Sequence, residues 1–404
     1  MKKLKLLCWL LVMALCLAAC SGQVPDDTTL DATTTTTTQA TTETTTVATE
    51  EPRISMVEST DPIKNIILII GDGMGLQHIK AGQLYDGKEY NFTKWQSVPI
   101  NTASMTYSGE ISPNATDSAA SATAMATGHL TVNSYLAMLP DGTQLQTILD
   151  VAGAMGKATG IVTTDSLLGA TPSGFSAHSR SRSADSIILS TQIDSGVNLL
   201  CGNYDKDCAA MAQEIQKKGY AYCEDYTQLS DTFGGDKAYW QLPLVGDKGE
   251  FNLVDVSIDA LNYLDRDADG FVLMLEQGHP DKYSHSKDFL NTCKAVSNLN
   301  STLEAILDWL GDRTDTAILV VADHETGGLL VSDQPEYANP ENVTVDGVSK
   351  TLFYEYRAGG HTSTNVALFV YGITADFTKS EHYMEDALKN AGIYYLMLDI
   401  LNIG

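Results

Sequence analysis

Three apolar runs in this chain each end at an acidic residue. Asn65 to Ile70 leads through Gly71 into Asp72, Phe271 to Leu275 into Glu276, and Ala317 to Ala322 into Asp323. A single carboxylate behind a strand is a turn residue or a helix cap. Three of them, two with histidine close by, describe a charged edge. Asp281 and His285 stand four apart, so one helical turn sets both on one face toward a single ion. A carboxylate with a neutral imidazole is suitable chemistry for zinc. Asp323 and His324 place two such ligands side by side in a loop. His361 lies in Gly359-Gly360-His361-Thr362, just ahead of another strand-like run, Val366 to Tyr371.

A nucleophile is also present. Thr116-Asp117-Ser118-Ala119-Ala120-Ser121-Ala122-Thr123-Ala124 follows Pro113 and runs into small residues that favour a tightly packed helix. Ser118 then sits at or near a helix N-terminus, where free N–H groups and the dipole favour negative charge. That suits a serine that becomes an alkoxide and then holds a phosphoryl group. The plain alternative is an N-cap serine, common in any protein.

These residues need a scaffold. Short continuous runs rich in β-branched residues suit strands buried on both faces of a parallel sheet. Helical patterns lie between them, Ser297 to Leu310 among them. The alternation predicts an α/β fold, a doubly wound and largely parallel sheet with helices on both faces and with surface insertions. Ligands in such folds sit beyond the carboxyl ends of the strands, where Asp72, Glu276 and Asp323 fall. The stretches from about Ser183 to Ala260 and from Leu329 to Tyr356 carry no readable signature and would shape access.

Six segments taken together resemble the successive motifs of alkaline phosphatases. They are Gly71-Asp72-Gly73-Met74-Gly75, Asp117-Ser118-Ala119-Ala120-Ser121, Ala170-Thr171-Pro172, Glu276 through His285, Asp323-His324 and Gly360-His361-Thr362. They occur in the family's order across residues 65 to 372. The resemblance implies hydrolysis of phosphate monoesters through a phosphoserine, with two Zn2+ and one Mg2+ as cofactors. It implies a first zinc held by Asp281, His285 and His361. A second zinc is implied on Asp72, Asp323 and His324, with Ser118 as catalytic ligand. Magnesium is implied on Asp72, Thr171 and Glu276. Arg182 falls where the family places its phosphate-gripping arginine, with Arg180 a rival by position. Lys282 stands beside Asp281, as in members where it reaches phosphate through water. There is one departure. Gly169, two before Thr171, replaces the acidic or imidazole residue usual near the magnesium.

Other motifs compete. Asp265-Arg266-Asp267-Ala268-Asp269-Gly270, with Glu276 at the twelfth position, fits the EF-hand pattern. Phe271 to Leu275 reads as a strand rather than an exiting helix, so the segment is expected to be a turn. His78, His129, His178, His279 and His382 are read as surface or structural histidines. Gly71 to Gly75 lacks the lysine of a P-loop.

The ends and the composition set the context. Lys2, Lys3 and Lys5, the apolar run Leu6 to Leu17, and Leu17-Ala18-Ala19-Cys20 form a secretory signal with a lipoprotein cleavage box over residues 1–20. Residues 21–53, with six threonines from Thr33 to Thr38, are expected to be a disordered tether. Residues 54–404 form the catalytic domain. The expected place is outside the cytoplasm, anchored to the bacterial membrane by lipid at Cys20. A formal charge of −26 excludes a nucleic acid polymer as partner. Small phosphomonoester substrates are the expected partners, and a homodimer is an allowed assembly. With Cys8, Cys16 and Cys20 spent, Cys201, Cys208, Cys223 and Cys293 remain; three pairings are open, of which Cys201–Cys208, closing a short local loop, is preferred. Two other readings stay open: a phosphodiesterase or sulfatase of the same metal-dependent superfamily, and an inactive metal-binding surface lipoprotein.

Overall fold

In the computed structural model of the protein, residues 62–246, 251–373 and 389–401 are described. The expected signal and tether, residues 1–53, and His382 lie outside them. The core is a nine-stranded sheet. From one edge it runs β2 (Gln96–Ile100), β14 (Val366–Tyr371), β8 (Thr316–Val321), β1 (Asn65–Gly71), β7 (Phe271–Gln277), β3 (Ala158–Thr163), β4 (Leu199–Asn203), β6 (Ala238–Leu242) and β5 (Ala221–Cys223). The seven strands from β8 to β5 are mutually parallel, and β14 is antiparallel to both its neighbours.

The three apolar runs are the central strands of this sheet. Ile66 to Ile70 are fully buried, as are Leu273, Leu275 and Ala317 to Val320. β-branched side chains on both faces explain the unbroken run, since each face needs a covering layer. Helices supply those layers. Leu253–Leu264 and Phe289–Leu310 pack on one face, Ile148–Ala154 and Ala170–Ser176 on the other, and both groups reach β7. The helix Phe289–Leu310 starts nearer the site than the Ser297 pattern indicated, capped by Asp288.

The unread stretch from Leu329 to Tyr356 is a three-stranded antiparallel sheet of β10 (Leu329–Ser332), β12 (Val348–Tyr356) and β11 (Asn339–Val345). A two-residue pair, β9 (Glu325–Thr326) with β13 (His361–Thr362), lies between it and the main sheet in sequence.

Two motifs resolve here. The EF-hand pattern fails because Glu276 is inside β7, while Asp265 pairs with Arg313 Nη1 at 2.8 Å. The disulfide expectation is corrected. Cys201, Cys208, Cys223 and Cys293 are all free and buried. Two of them meet other partners. The Cys208 thiol meets Tyr239 Oη at 3.4 Å, and Cys223 Sγ donates to the Asp225 carbonyl at 3.0 Å. Burial pushes the Cys208 thiol up to about 12, so it stays protonated. Among the described residues, no helix is long and apolar enough to cross a membrane.

Candidate metal centre

Strand register brings distant acids to one level. Ile70 stands beside Glu276 on one side and Val321 on the other, and the Asp72 N–H bonds the Gln277 carbonyl at 3.1 Å. Asp72, Glu276 and Asp323 therefore emerge together at the carboxyl ends of β1, β7 and β8. Gly73 follows Asp72 at φ +69°, where a Cβ would come within 2.8 Å of Asp281 Cα. Only glycine lets the loop pass there.

The acids meet a row of imidazoles. His324 Nε2 lies 3.6 Å from Asp72 Oδ1, 3.2 Å from Asp323 Oδ2 and 3.2 Å from Ser118 Oγ. His285 Nε2 and His361 Nε2 are each 3.4 Å from Asp281 Oδ1 and 3.1 Å from one another. The His324 and His361 rings stack with centroids 3.5 Å apart. Among the described residues, two groups could hold an ion, Asp281 with His285 and His361, and Asp72 with Asp281 and His324. Asp281 belongs to both, although sequence reasoning assigned it to the first alone. The helical spacing of Asp281 and His285 is realised in the helix His279–His285.

The rings are aimed by their other nitrogens. His361 Nδ1 donates to the Thr116 carbonyl at 2.8 Å, which leaves Nε2 free. His324 Nδ1 faces Thr326 Oγ1 at 3.2 Å, and that hydroxyl donates to Asp281 Oδ1 at 2.5 Å. Thr326 was missed by sequence reasoning, because a threonine in a two-residue strand carries no signal.

Ser118 is the first residue of the helix Ser118–Thr127. Asp117 caps it, Oδ1 accepting from the Ala120 N–H at 2.9 Å. Ser121 Oγ donates to the Asp323 carbonyl at 2.7 Å, tying the helix to the loop beyond β8. All ten residues of the helix are buried, which accounts for their small side chains. Arg182 turns to this helix end and donates to Asp117 Oδ2 at 3.2 Å. Arg180 turns away, bonding the Asp141 carbonyl at 3.2 Å. The geometry separates the two arginines.

Glu276 accepts a short hydrogen bond from Thr163 Oγ1. Lys282 is ion-paired with Asp165, a residue sequence reasoning passed over. Its signal was the same as for Asp72, an acid just behind a strand, here β3. Two of the histidines set aside, His78 and His279, bond to neighbouring side chains. His78 Nε2 bonds Ser284 Oγ at 3.0 Å, and His279 Nδ1 bonds Thr164 Oγ1 at 3.0 Å.

The electrostatics favour cations. Burial pushes the Asp72 carboxyl well up, and Asp323, Asp281 and Glu276 add repulsion. Glu276 is pushed up to about 8, by burial and then by Asp165. Burial acts the same way on Asp281, but His361, His324 and Thr326 outweigh it and hold that carboxyl below the usual range. Burial lowers His324 and keeps it neutral, as a ligand requires. Asp72 Oδ1, Asp323 Oδ2 and Thr171 Oγ1 are buried without a hydrogen-bond partner. Buried polar atoms are normally satisfied, so unspent oxygens beside facing imidazole nitrogens fit divalent cations.

The sequence matches the family model "Alkaline phosphatase" over residues 63–198 and 202–392. Alkaline phosphatase 3 of Bacillus subtilis is 33% identical over 288 residues, covering 66% of this chain and 62% of its own. Alkaline phosphatase 4 of the same species is 28% identical over 298 residues, covering 68% and 64%. Both relatives are matched over less than two-thirds of their length. A variant of the alkaline phosphatase from the Antarctic bacterium TAB5, solved with Mg bound in its M3 site, has the same fold. It superposes with a TM-score of 0.70 at 23% identity, over 84% of this chain and 98% of that one. A family match over most of the folded chain leaves one classification: the chain belongs to the alkaline phosphatase family.

Proposed function

We propose that this protein hydrolyses phosphate monoesters at the Ser118 cluster, through a phosphoserine and with two Zn2+ and one Mg2+ bound. The observation that carries this reading is the position of Ser118. Its Oγ sits at a helix N-terminus, 3.2 Å from His324 Nε2, among carboxylates drawn from three parallel strands. The TAB5 relative with Mg in its M3 site supports the magnesium.

In this reading Asp281, His285 and His361 hold one zinc, and Asp72, Asp323 and His324 hold the other. Asp72, Thr171 and Glu276 hold magnesium. When bound, the ions would supply the positive charge that eases ionisation of the Ser118 hydroxyl and of water and stabilises the negative charge of the leaving alkoxide. Ser118 Oγ attacks phosphorus in line and its O–P bond forms as the alkoxide leaves. The alkoxide takes a proton and departs as the alcohol. Water then attacks the phosphorus, the Ser118 O–P bond breaks, Ser118 Oγ takes a proton from that water and inorganic phosphate leaves. Arg182 presents two N–H groups to nonbridging oxygens, a fork suited to a dianionic monoester. Lys282, beside the cluster, adds a second positive charge. The overall acidity of the chain is thus offset locally.

The signal and lipobox support lipid anchoring at Cys20 and an extracytoplasmic place for the domain. The test is turnover of an aryl phosphate monoester beside the matching diester. Ser118→Ala is expected to abolish monoester turnover while zinc content stays near wild type. Undiminished turnover removes Ser118 from the mechanism, and faster diester turnover overturns the monoester assignment.

A further inference from the structure

Gly169 leaves a gap where the family pattern carries an acidic or imidazole side chain, and the structure fills it from elsewhere. A Cβ on Gly169 would lie 2.8 Å from Asp165 Oδ2 and 3.1 Å from Asp165 Cγ. The Asp165 carboxylate therefore occupies the space into which a side chain at 169 would grow. It is held there firmly. Oδ1 accepts from the Ser166 N–H at 2.7 Å and pairs with Lys282, while the Asp165 N–H donates to Thr163 Oγ1 at 2.9 Å. That same Thr163 hydroxyl donates to Glu276, so Asp165 and Glu276 share one fixed neighbour. A Cβ on Gly278 would meet Asp165 Cβ at 3.4 Å and Glu276 Oε1 at 3.5 Å, which puts both side chains around one small space. The independent pointer to a ligand is Thr171. Its hydroxyl oxygen is without a hydrogen-bond partner, on a residue only 1% exposed.

We propose that Asp165 supplies the acidic side chain of the Thr171–Glu276 cation position, replacing from four residues upstream the group absent at Gly169. The proposal rests on the magnesium reading above. In the same act Asp165 steadies Lys282, so one carboxylate serves the cation with Oδ2 and the lysine with Oδ1. The chain keeps the charge of the usual arrangement while moving its backbone origin.

The test is calorimetric titration of magnesium into full-length protein stripped with chelator and reloaded with zinc. Wild type is expected to bind one equivalent. Asp165→Asn should lose about tenfold or more in magnesium affinity while zinc content is unchanged, the range seen when groups around a metal are altered. Lys282→Ala keeps the carboxylate and should show no loss of magnesium affinity, with a raised KM for aryl phosphate. Wild-type magnesium affinity in Asp165→Asn overturns the proposal, as does a wild type that takes up no magnesium. Failure of the phosphatase reading shows separately, as turnover surviving in Ser118→Ala, because the titration needs no substrate.

Discussion

The two halves of the main sheet look alike along their strands and differ at their ends. Behind β1 and β8, Asp72 and Asp323 each keep one oxygen unspent. Asp323 Oδ1 accepts from the N–H groups of Gly73 and His324, both at 3.0 Å, and Oδ2 is left facing His324 Nε2. Behind β4, Asp205 also follows a buried strand. It spends Oδ1 on the N–H groups of Asp207 and Cys208, and Oδ2 on the Ser166 hydroxyl. The far half then closes with aromatic packing, Trp240 Nε1 bonding Thr232 Oγ1 at 3.0 Å. An acid behind a strand is therefore not itself the mark of a site. What marks it is whether hydrogen-bond donors have used up its oxygens.

That contrast breaks first at Asp281, whose carboxylate lies within reach of both candidate ligand groups. Asp281→Asn should strip zinc and lower aryl phosphate turnover by about a thousandfold or more, equivalent to about 4 kcal/mol of lost charge stabilisation. Metal analysis alongside steady-state kinetics checks it, and wild type treated with chelator should behave alike until zinc is restored. Arg182 and Arg180 give the next largest difference. Arg182→Ala should reduce kcat/KM about a hundredfold, the loss of two charge-assisted hydrogen bonds worth about 3 kcal/mol. Arg180→Ala, its partner being a surface carbonyl, should stay within about twofold.

A pH measurement sharpens the contrast on the site side. Burial holds the His78 imidazole near 4, below its ordinary 6.5. The folded state then binds fewer protons than the unfolded state between those values. Stability from this group is full above pH 6.5 and drains as pH falls toward 4. About 2 kcal/mol should be lost between pH 7 and pH 5, read from urea midpoints of metal-free protein. His78→Gln should show a shallower slope by that amount. The smallest effect belongs to the far half. Asp205→Ala should cost about 1 kcal/mol of stability, a lost helix cap, with zinc content and turnover unchanged. Loss of metal in that variant would erase the distinction between the two acids.

Much of this was legible because it is local. A strand buried on both faces must be an unbroken apolar run, so Asn65 to Ile70, Phe271 to Leu275 and Ala317 to Ala322 declare themselves. A helix that packs closely needs small residues, so the segment after Ser118 does too. The imidazoles are few, and the order of the six motifs along the chain carried the resemblance to the family. Arg182 was separated from Arg180 only by side-chain direction. Asp165 was passed over because its role depends on a glycine four residues away and a lysine from another element. The cysteine expectation failed for a related reason. A spacing of seven from Cys201 to Cys208 says nothing about where either thiol points, and Tyr239 claims one of them.

Sequence by itself therefore determined the kinds of strand, the kinds of ligand and their succession, all properties of short windows and residue chemistry. Tertiary structure alone decided which acid lies within reach of two candidate ligand groups, which arginine reaches the cap of the Ser118 helix, and which carboxylate fills the space beside Gly169. Those outcomes depend on strand order and rotamer direction across more than 200 residues, as between Ser118 and His324 at |i−j| of 206. No short window of sequence contains that information.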